Sequence, residues 1–210
     1  MTETQRSLRW LTWARAIQSI AQIGDTYAVN DWQHERYQRL LEIAAEMISE
    51  HTRLPVDEIT QDFVMQTGYA TPKVDVRGAV FRGDQLLLVE EMNGGGWTLP
   101  GGWADVGDSP AAGAEREVWE EAGFRVKATR LIGVYDTNRV QPLEYYHAYK
   151  LVFLCEIVGG EARVSYETTD VAFFSHDGIP ENFAGNRTQM RHVQDAFAAH
   201  FDPSIPVVFD

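Results

Sequence analysis

Residues 102–124, "GWADVGDSPAAGAEREVWEEAGF", hold the feature that most constrains how this chain folds. A stretch rich in Gly and Asp leads into Ser109 and Pro110, a typical cap and first-turn pair of a helix. Gly123 is a typical helix stop. The sequence therefore predicts a shaped loop followed by a helix from Pro110 to about Ala122.

The predicted helix carries three carboxylates on one side. Glu117 lies three and four positions before Glu120 and Glu121, so the three side chains are neighbours on a helix. Like charges at these spacings cost roughly 0.2–0.5 kcal/mol per exposed pair. Neither Arg116 nor Arg125 lies where it would neutralise all three acids. Clustered oxygen ligands of this kind are typical of Mg²⁺ or Mn²⁺ sites, and an acidic surface helix is the alternative.

Charge and composition limit the partners. The 210 residues include 31 acidic and 18 basic side chains, with a net charge of -13, and 44% of the residues are hydrophobic. This composition is typical of a folded protein, and its acidity argues against a nucleic-acid partner, which needs a basic surface. A phosphate substrate stays compatible, because a cation held by carboxylates can bridge protein and phosphate.

The first 70 residues are predicted to be helical. Apolar residues at helical spacing predict helices from about 3 to 23, over 31–53 behind a possible Asp31 cap, and at 56–66. The Gly and Pro of "TGYATPK" mark a boundary, so we expect an N-terminal module at 1–70 and a second domain at 71–210. The module shows more apolar surface, including Trp10 and Trp13, than a helical hairpin buries alone. We expect it to pack on the second domain and on a second subunit in a homodimer.

The second domain switches to strand periodicity. "VDVRGAVF" and "QLLLVEE", joined at Gly83-Asp84, predict a hairpin. Further strands are predicted near 126–137, 144–157 and 170–174, with a last helix around 187–200. A helix inserted between strand groups predicts a mixed α/β fold.

Cellular location is predicted from what the sequence lacks. Cys155 is the one cysteine, so no intramolecular disulfide forms, and its apolar surroundings predict a buried thiol. No run reaches the roughly 18–20 apolar residues that span a bilayer, and the N-terminus does not have the pattern of a signal peptide. We expect a cytoplasmic protein without a membrane partner.

The spacing of residues 102–124 resembles the Nudix box. That pattern runs Gly, five residues, Glu, seven residues, Arg-Glu, an aliphatic residue, any residue, Glu-Glu, any residue, Gly and a hydrophobic residue. Gly102 opens the match and "REVWEEAGF" at 116–124 closes it. Asp108 stands where the family has Glu, and its carboxylate reaches about one methylene less far. The resemblance implies the Nudix α/β/α sandwich with a mixed sheet, preceded here by a small helical subdomain.

The resemblance also implies the roles of the box residues. Glu117, Glu120 and Glu121 would surround one to three divalent ions, Mg²⁺ or Mn²⁺, and the Gly101 or Gly102 carbonyl would add a ligand. Three further roles follow: Arg116 would hold the carboxylates by bidentate pairing, Asp108 would organise the loop and outer metal shell, and Glu117 or, as second choice, Glu167 would be the general base. Metal-activated water would attack one phosphorus of a diphosphate.

The similarity extends beyond the box. "LRWLTWARAIQSIAQIGDTYA" and "ETTDVAFFSHDGIP" resemble the Nudix subgroup whose N-terminal module is described for hydrolases of X-linked nucleoside diphosphates. Such enzymes cleave substrates like ADP-ribose or CDP-choline to a nucleoside monophosphate and phosphorylated X, and are typically dimers. The alternatives are a nucleotide-sensing regulator with little turnover and a scaffold with a structural metal.

Substrate-binding residues are predicted outside the acidic helix. Arg77 and Arg187 would hold phosphate or ribose, but Arg77 would instead pair with Asp75 if its role is structural. Aromatic residues for stacking on a base or caging choline have core packing as their alternative: Tyr27, Trp32, Trp97, Trp103, Tyr145 and Tyr146. Trp103 is the first choice because it lies in the phosphate-side loop. Glu115, outside the box pattern, is expected to be a solvated charge.

Overall fold

The computed structural model describes residues 9–52, 54–92, 95–137, 146–184 and 187–210. These residues form two units. One is helical, runs to Pro72 and also includes Tyr146 and His147, and the other holds the remaining residues from Lys73 onward. The boundary lies two residues after the predicted one, where the backbone enters the first strand.

Among the residues that the structure describes, the first unit contains three helices: α1 (Arg9–Thr26), α2 (Asp31–His51) and α3 (Val56–Met65). Their buried residues, spaced by three, four and seven positions, include Leu11 and Ala14 on α1 and Leu41 and Ile48 on α2. The predicted Asp31 cap is wrong by one residue. Asn30 is the N-cap and its side chain accepts the backbone N–H of Gln33, while Asp31 begins the helix, where its charge favours the helix dipole.

Within its described residues, the second unit contains one sheet, two α-helices and a 3-10 turn. Its strands are β1 (Lys73–Arg82), β2 (Gln85–Glu91), β3 (Trp97–Thr98), β4 (Gly101–Trp103), β5 (Phe124–Asp136), β6 (Ala148–Gly160), β7 (Thr168–Ser175) and β8 (Val208–Phe209). The helices are α4 (Pro110–Ala122) and α5 (Met190–Phe201), with the 3-10 turn at His176–Gly178.

The sheet is mixed. Its order is β3-β2-β1-β6-β5-β8, with β4 added to β1 and β7 added to β2. β1 and β6 are parallel, with Lys73 opposite Ala148, whereas β5 and β6 are antiparallel. The predicted hairpin is confirmed as an antiparallel β1–β2 pair.

Helices cover both faces of this sheet. Val80 and Leu87 pack with Val118 and Phe124 on the α4 side. Their neighbours along β1 and β2, Ala79 and Leu86, belong to the cluster around Val193 and Phe197 on the α5 side. Because successive strand residues face opposite ways, this alternation builds an α/β/α sandwich and confirms the predicted fold class.

Helix α4 begins and ends as predicted. The Ser109 hydroxyl accepts the backbone N–H of Ala112, and Pro110 occupies the first turn. Gly123 has φ of 76°, and a Cβ there would lie 2.5 Å from the Glu161 carbonyl oxygen, so only glycine fits without strain. The last predicted helix is confirmed, although it begins at Met190.

Two further expectations concern burial and membranes. Cys155 is buried, and this burial raises the pKa of its thiol to about 12. Across the described ranges, no helix combines the length and the apolar character needed to cross a bilayer.

Candidate active site

A cavity of about 520 Å³ opens where α4 meets the loop that precedes it. Its lining includes the predicted box residues other than Asp108, together with Glu167, Arg77, Arg187 and Trp103. Four residues that the sequence had not singled out as site residues also line it: Asp75, Asp105, Ser165 and Tyr166. The sequence signal for Ser165 and Tyr166 was their position directly before Glu167, in the segment that leads into β7.

The turn at Pro100–Gly102 brings its backbone against β1 and α4. Gly101 has φ of 148°, and a Cβ there would lie 2.1 Å from the Val76 carbonyl oxygen, so this close approach requires glycine. The Gly101 N–H donates to the Glu121 carboxylate at 2.9 Å. Burial raises the pKa of Glu121 to about 7, although the nearby Arg77 charge and this hydrogen bond act in the opposite direction.

Glu117 faces the same turn. A Cβ at Gly102 would lie 3.1 Å from a carboxylate oxygen of Glu117, so glycine leaves room for that carboxylate. Partial burial raises the pKa of Glu117, partly offset by Arg116. Glu120 is the most solvent-exposed of the three acids, with 52% of its side chain accessible.

Arg116 connects the loop to the helix. Its Nη1 donates to Glu117 at 2.9 Å and to Glu120 at 3.0 Å, and its Nε donates to Asp108 at 3.1 Å. Its Nη2 lies 3.0 Å from an Asp105 oxygen, an ion pair without hydrogen-bond alignment. The shorter Asp108 therefore still reaches the arginine.

The oxygen ligands that this site offers are of the kind that a hard divalent cation binds. Glu117, Glu120 and Glu121 supply carboxylate oxygens, and Gly101 and Gly102 line the same cavity. Among the described residues, however, no three Asp, Glu, His or Cys side chains are gathered into a preformed metal-binding cluster. Arg116 holds two of the acids instead. A bound cation would compete with this arginine for Glu117 and Glu120.

Arg77 is engaged within the protein. Its Nε and Nη2 each donate to Asp75 at 2.8 Å, and its Nη1 donates to the Leu99 carbonyl at 3.0 Å. Lys150 also contacts Asp75 at 3.0 Å. Burial would raise the pKa of Asp75, but the two cations outweigh it and lower that pKa to about 2. The structural alternative for Arg77, pairing with Asp75, is thus observed, and Arg77 also lines the cavity.

Arg187 and Glu167 also line the cavity. Arg187 Nη1 donates to Glu91 at 2.5 Å. Glu167 is exposed and follows the box acids in the sequence. Its backbone N–H donates to the Ser165 hydroxyl. Its place on the wall keeps it within the same cavity as Glu117.

The predicted aromatic residues do not share one location. Trp103 lines the cavity, with the Lys73 ammonium 6.0 Å from its ring centroid. Trp97 packs edge-on against Phe174, which is the core alternative. The rest fall elsewhere: Tyr27, Trp32 and Tyr146 belong to the helical unit, and Tyr145 lies outside the described residues.

Glu115 is not the solvated charge that the sequence suggested. Its carboxylate accepts the backbone N–H of Ala128 at 2.9 Å and pairs with Lys127 at 3.0 Å. It therefore connects α4 to β5 on a side away from the cavity. The spacing of residues within the helix could not predict this partner, because it lies on another element.

Comparison with known proteins agrees with this fold. The family profile described as "NUDIX domain" matches residues 71–197, and the profile "UDP-X-like, N-terminal oligomerisation domain" matches residues 8–63. A Bacillus subtilis (strain 168) protein named "Putative ADP-ribose pyrophosphatase YjhB" is 38% identical over 82% of this chain and 83% of its own length.

Two solved structures are similar over much of the chain. An ADP-ribose pyrophosphatase from Streptococcus suis 89-1591 has a TM-score of 0.61 at 36% identity, covering 67% of this chain and all of that one. The crystal structure of a UDP-X diphosphatase has a TM-score of 0.62 at 28% identity, covering 97% of this chain and 99% of that one.

The sandwich, the glycine turn and the acidic helix on one cavity define an enzyme of the pyrophosphohydrolase class. The chain belongs to the Nudix hydrolase family, with the N-terminal domain described for UDP-X-like members.

Proposed function

We propose that this enzyme hydrolyses the diphosphate bond of a nucleoside diphosphate linked to a second group X, and that ADP-ribose is its first candidate substrate. The observation that carries the proposal is the common cavity, whose lining includes the box acids, Gly101 and Gly102, Arg187 and Trp103. The relatives named as ADP-ribose pyrophosphatases favour that substrate over CDP-choline.

Mg²⁺ is the proposed metal, with Mn²⁺ as a substitute. Glu117, Glu120 and Glu121, with the Gly101 or Gly102 carbonyl, would hold it. When bound, the metal supplies Lewis-acid stabilisation of phosphate oxygens and a lowered pKa for bound water.

The protein's own groups divide the remaining work. Glu117 is the first candidate for the general base, because burial already raises its pKa toward the range where a carboxylate accepts protons. Glu167, on the same cavity wall, is the second. Arg116 positions Glu117 and Glu120 through its Nη1, which donates to both, and Glu121 fixes the turn by accepting the Gly101 N–H.

A substrate panel tests the proposal. Purified enzyme with Mg²⁺ is incubated with ADP-ribose, CDP-choline, FAD, NADH, diadenosine polyphosphates and nucleoside triphosphates, and products are separated by chromatography. We expect a nucleoside monophosphate and phosphorylated X from ADP-ribose, and no product once EDTA removes the metal. Tight binding of a panel member without any cleavage would contradict hydrolysis and favour a nucleotide-binding regulator.

The assembly and location remain proposals. The profile matched at residues 8–63 is described as an oligomerisation domain, and this supports a homodimer formed through the helical unit. A cytoplasmic location stays a prediction from the sequence, as does the absence of a nucleic-acid partner.

A further inference from the structure

Among the described residues, three arginines line the cavity: Arg77, Arg116 and Arg187. They differ in how many of their N–H groups bind acceptors of the protein itself. Arg77 donates to Asp75 through two nitrogens and to the Leu99 carbonyl through the third. Arg116 faces four acidic side chains. Both guanidinium groups are therefore committed to holding the protein together.

Arg187 differs from the other two. Its Nη1 donates to Glu91, and the side chain is 48% exposed. Within the described part of the chain, its Nε and Nη2 donate no hydrogen bond to a protein acceptor. These two nitrogens form one edge of the guanidinium, which is the fork that binds two phosphate oxygens at once.

The backbone beside Arg187 is fixed to the glycine turn. Thr188 is fully buried, and its hydroxyl accepts the Leu99 N–H at 2.8 Å. It also shares a 2.8 Å hydrogen bond with the Thr98 hydroxyl. Leu99 directly precedes Pro100 and Gly101, so these contacts set the position of the Arg187 backbone relative to the cavity wall.

Glu91 fixes the other end of the side chain. It is the last residue of β2, its side chain is 9% exposed, and it follows a register shift in the pairing with β7. Bulges of this kind re-aim a side chain. A carboxylate this buried needs a charged partner, and Arg187 is the ion-pair partner that the structure gives it.

We propose that Glu91 is a positioning residue, which orients Arg187 so that the Nε and Nη2 edge binds a phosphate of the substrate diphosphate. This inference rests on the proposed function, since it assigns a group to the substrate of that reaction. The cavity wall carries more carboxylates than arginines, and a diphosphate is itself anionic. Arg116 Nη2 also lacks a hydrogen bond, but it is buried and faces Asp105. Among the described arginines of this cavity, Arg187 is the one with unused donors on a half-exposed side chain, so its orientation decides how the substrate's charge is met.

A double-mutant cycle tests the proposal. The variants are Arg187→Ala, Glu91→Leu and the double variant, assayed for kcat and KM on ADP-ribose. We expect Arg187→Ala to raise KM about 10- to 100-fold with a smaller change in kcat, because the contact is present in bound substrate and transition state alike. Glu91→Leu should raise KM in the wild-type background and change it no further when Arg187 is absent.

Two variants separate positioning from structure. Glu91→Gln keeps an acceptor for Arg187 and should recover most of the wild-type KM. Glu90→Gln is the matched control, since this neighbouring carboxylate binds the Thr169 hydroxyl and does not line the cavity. Its KM should be unchanged. Thermal melts of every variant show whether activity changes track stability.

Additive effects of Glu91→Leu and Arg187→Ala on KM would overturn the proposal. If Glu91→Leu does not fold, the cycle is run with Glu91→Gln, whose smaller rise in KM must vanish in the Arg187→Ala background. If Arg187→Ala raises KM by the same factor for ADP-ribose and for CDP-choline, the result supports contact with the diphosphate that both share. A rise in KM confined to one of the two substrates overturns the proposal. If the wild type binds ADP-ribose without cleaving it, the proposed function fails, and the cycle is read from dissociation constants instead.

Discussion

Arg116 is the residue on which the arrangement of the acidic site depends. It binds Glu117 and Glu120 on the helix and Asp108 on the loop, so one cation offsets charges that would otherwise repel. From sequence spacing alone, Arg116 could be placed beside these acids but not matched to each of them. The reason is that the loop conformation brings Asp108 to the guanidinium eight positions away.

Replacing Glu120 should stop catalysis without unfolding the protein. Glu120→Gln keeps the shape of a side chain that is half exposed and that pairs with Arg116. We expect kcat/KM to fall about 100-fold or more, because the change removes a charged metal ligand, with little shift in Tm. Glu115→Gln is the control, because Glu115 binds Ala128 outside the cavity. Wild-type rates in Glu120→Gln would contradict the metal assignment.

Asp108 should tolerate the residue that the box pattern prescribes. Its carboxylate already reaches Arg116 Nε at 3.1 Å, so Asp108→Glu should leave kcat/KM within about threefold of wild type. Asp108→Ala removes this contact and should lower kcat/KM about 10- to 100-fold through the loss of Arg116 orientation. Steady-state kinetics on ADP-ribose measure both. Equal activity in the Ala variant would show that the loop carboxylate is dispensable.

The elements fall into two groups according to how their structure is determined. Helix α4 could be predicted to the residue, because Ser109, Pro110 and Gly123 fix its ends locally. The short strands β3, β4 and β8 could not, because two or three residues form a strand only through pairing with distant ones. The role of Arg77 could not be predicted for the same reason. The sequence offered Asp75 as its ion-pair partner, but only the packed sheet decides whether Arg77 binds Asp75 or the substrate.

Helix α5 gives the stability of the protein a pH dependence. His192 is buried, and its ring lies 4.6 Å from that of Tyr135. Its Nδ1 accepts the Gln189 N–H, so the folded protein holds the ring in its neutral form. Burial lowers the pKa of His192 to about 3. The charged groups that act on it are Lys150 on β6, Asp75 and Arg77 on β1, and Arg191 on α5.

The unfolded chain therefore binds a proton at His192 below about pH 6.5, and the folded chain does so only near pH 3. Stability from this group is complete above pH 6.5 and falls by about 1.4 kcal/mol per pH unit as the pH drops between these values. His192→Asn keeps an acceptor for Gln189 and should flatten this slope, at a cost of about 1–3 kcal/mol at neutral pH. Urea unfolding at several pH values measures it, and an unchanged slope would contradict a neutral buried His192.

At the scale of the whole molecule, the helical unit carries exposed apolar side chains. Trp13 and Ile20 lie seven positions apart on α1, hence on one face, and both are exposed. A stripe of this kind in a unit matched by an oligomerisation profile is expected to contact a second copy.

We therefore expect a dimer of about twice 23.8 kDa in light scattering after gel filtration. Ile20→Glu should place a charge in the interface and shift the mass toward the monomer. Gln38→Glu adds the same charge on the exposed polar face of α2 and should leave the dimer intact. A wild-type monomer, or equal behaviour of the two variants, would contradict this assignment.

The parallel pairing of β1 with β6 has a consequence for synthesis on the ribosome. Lys73 of the central strand faces Ala148, so β1 leaves the ribosome long before its parallel neighbour is made. Until then one edge of β1 stays open, and open edges are where nascent chains associate wrongly. The helices α1–α3 are built from contacts close in sequence, and such contacts form quickly. We expect the nascent catalytic unit to depend on chaperones through the interval between β1 and β6, and the helical unit much less.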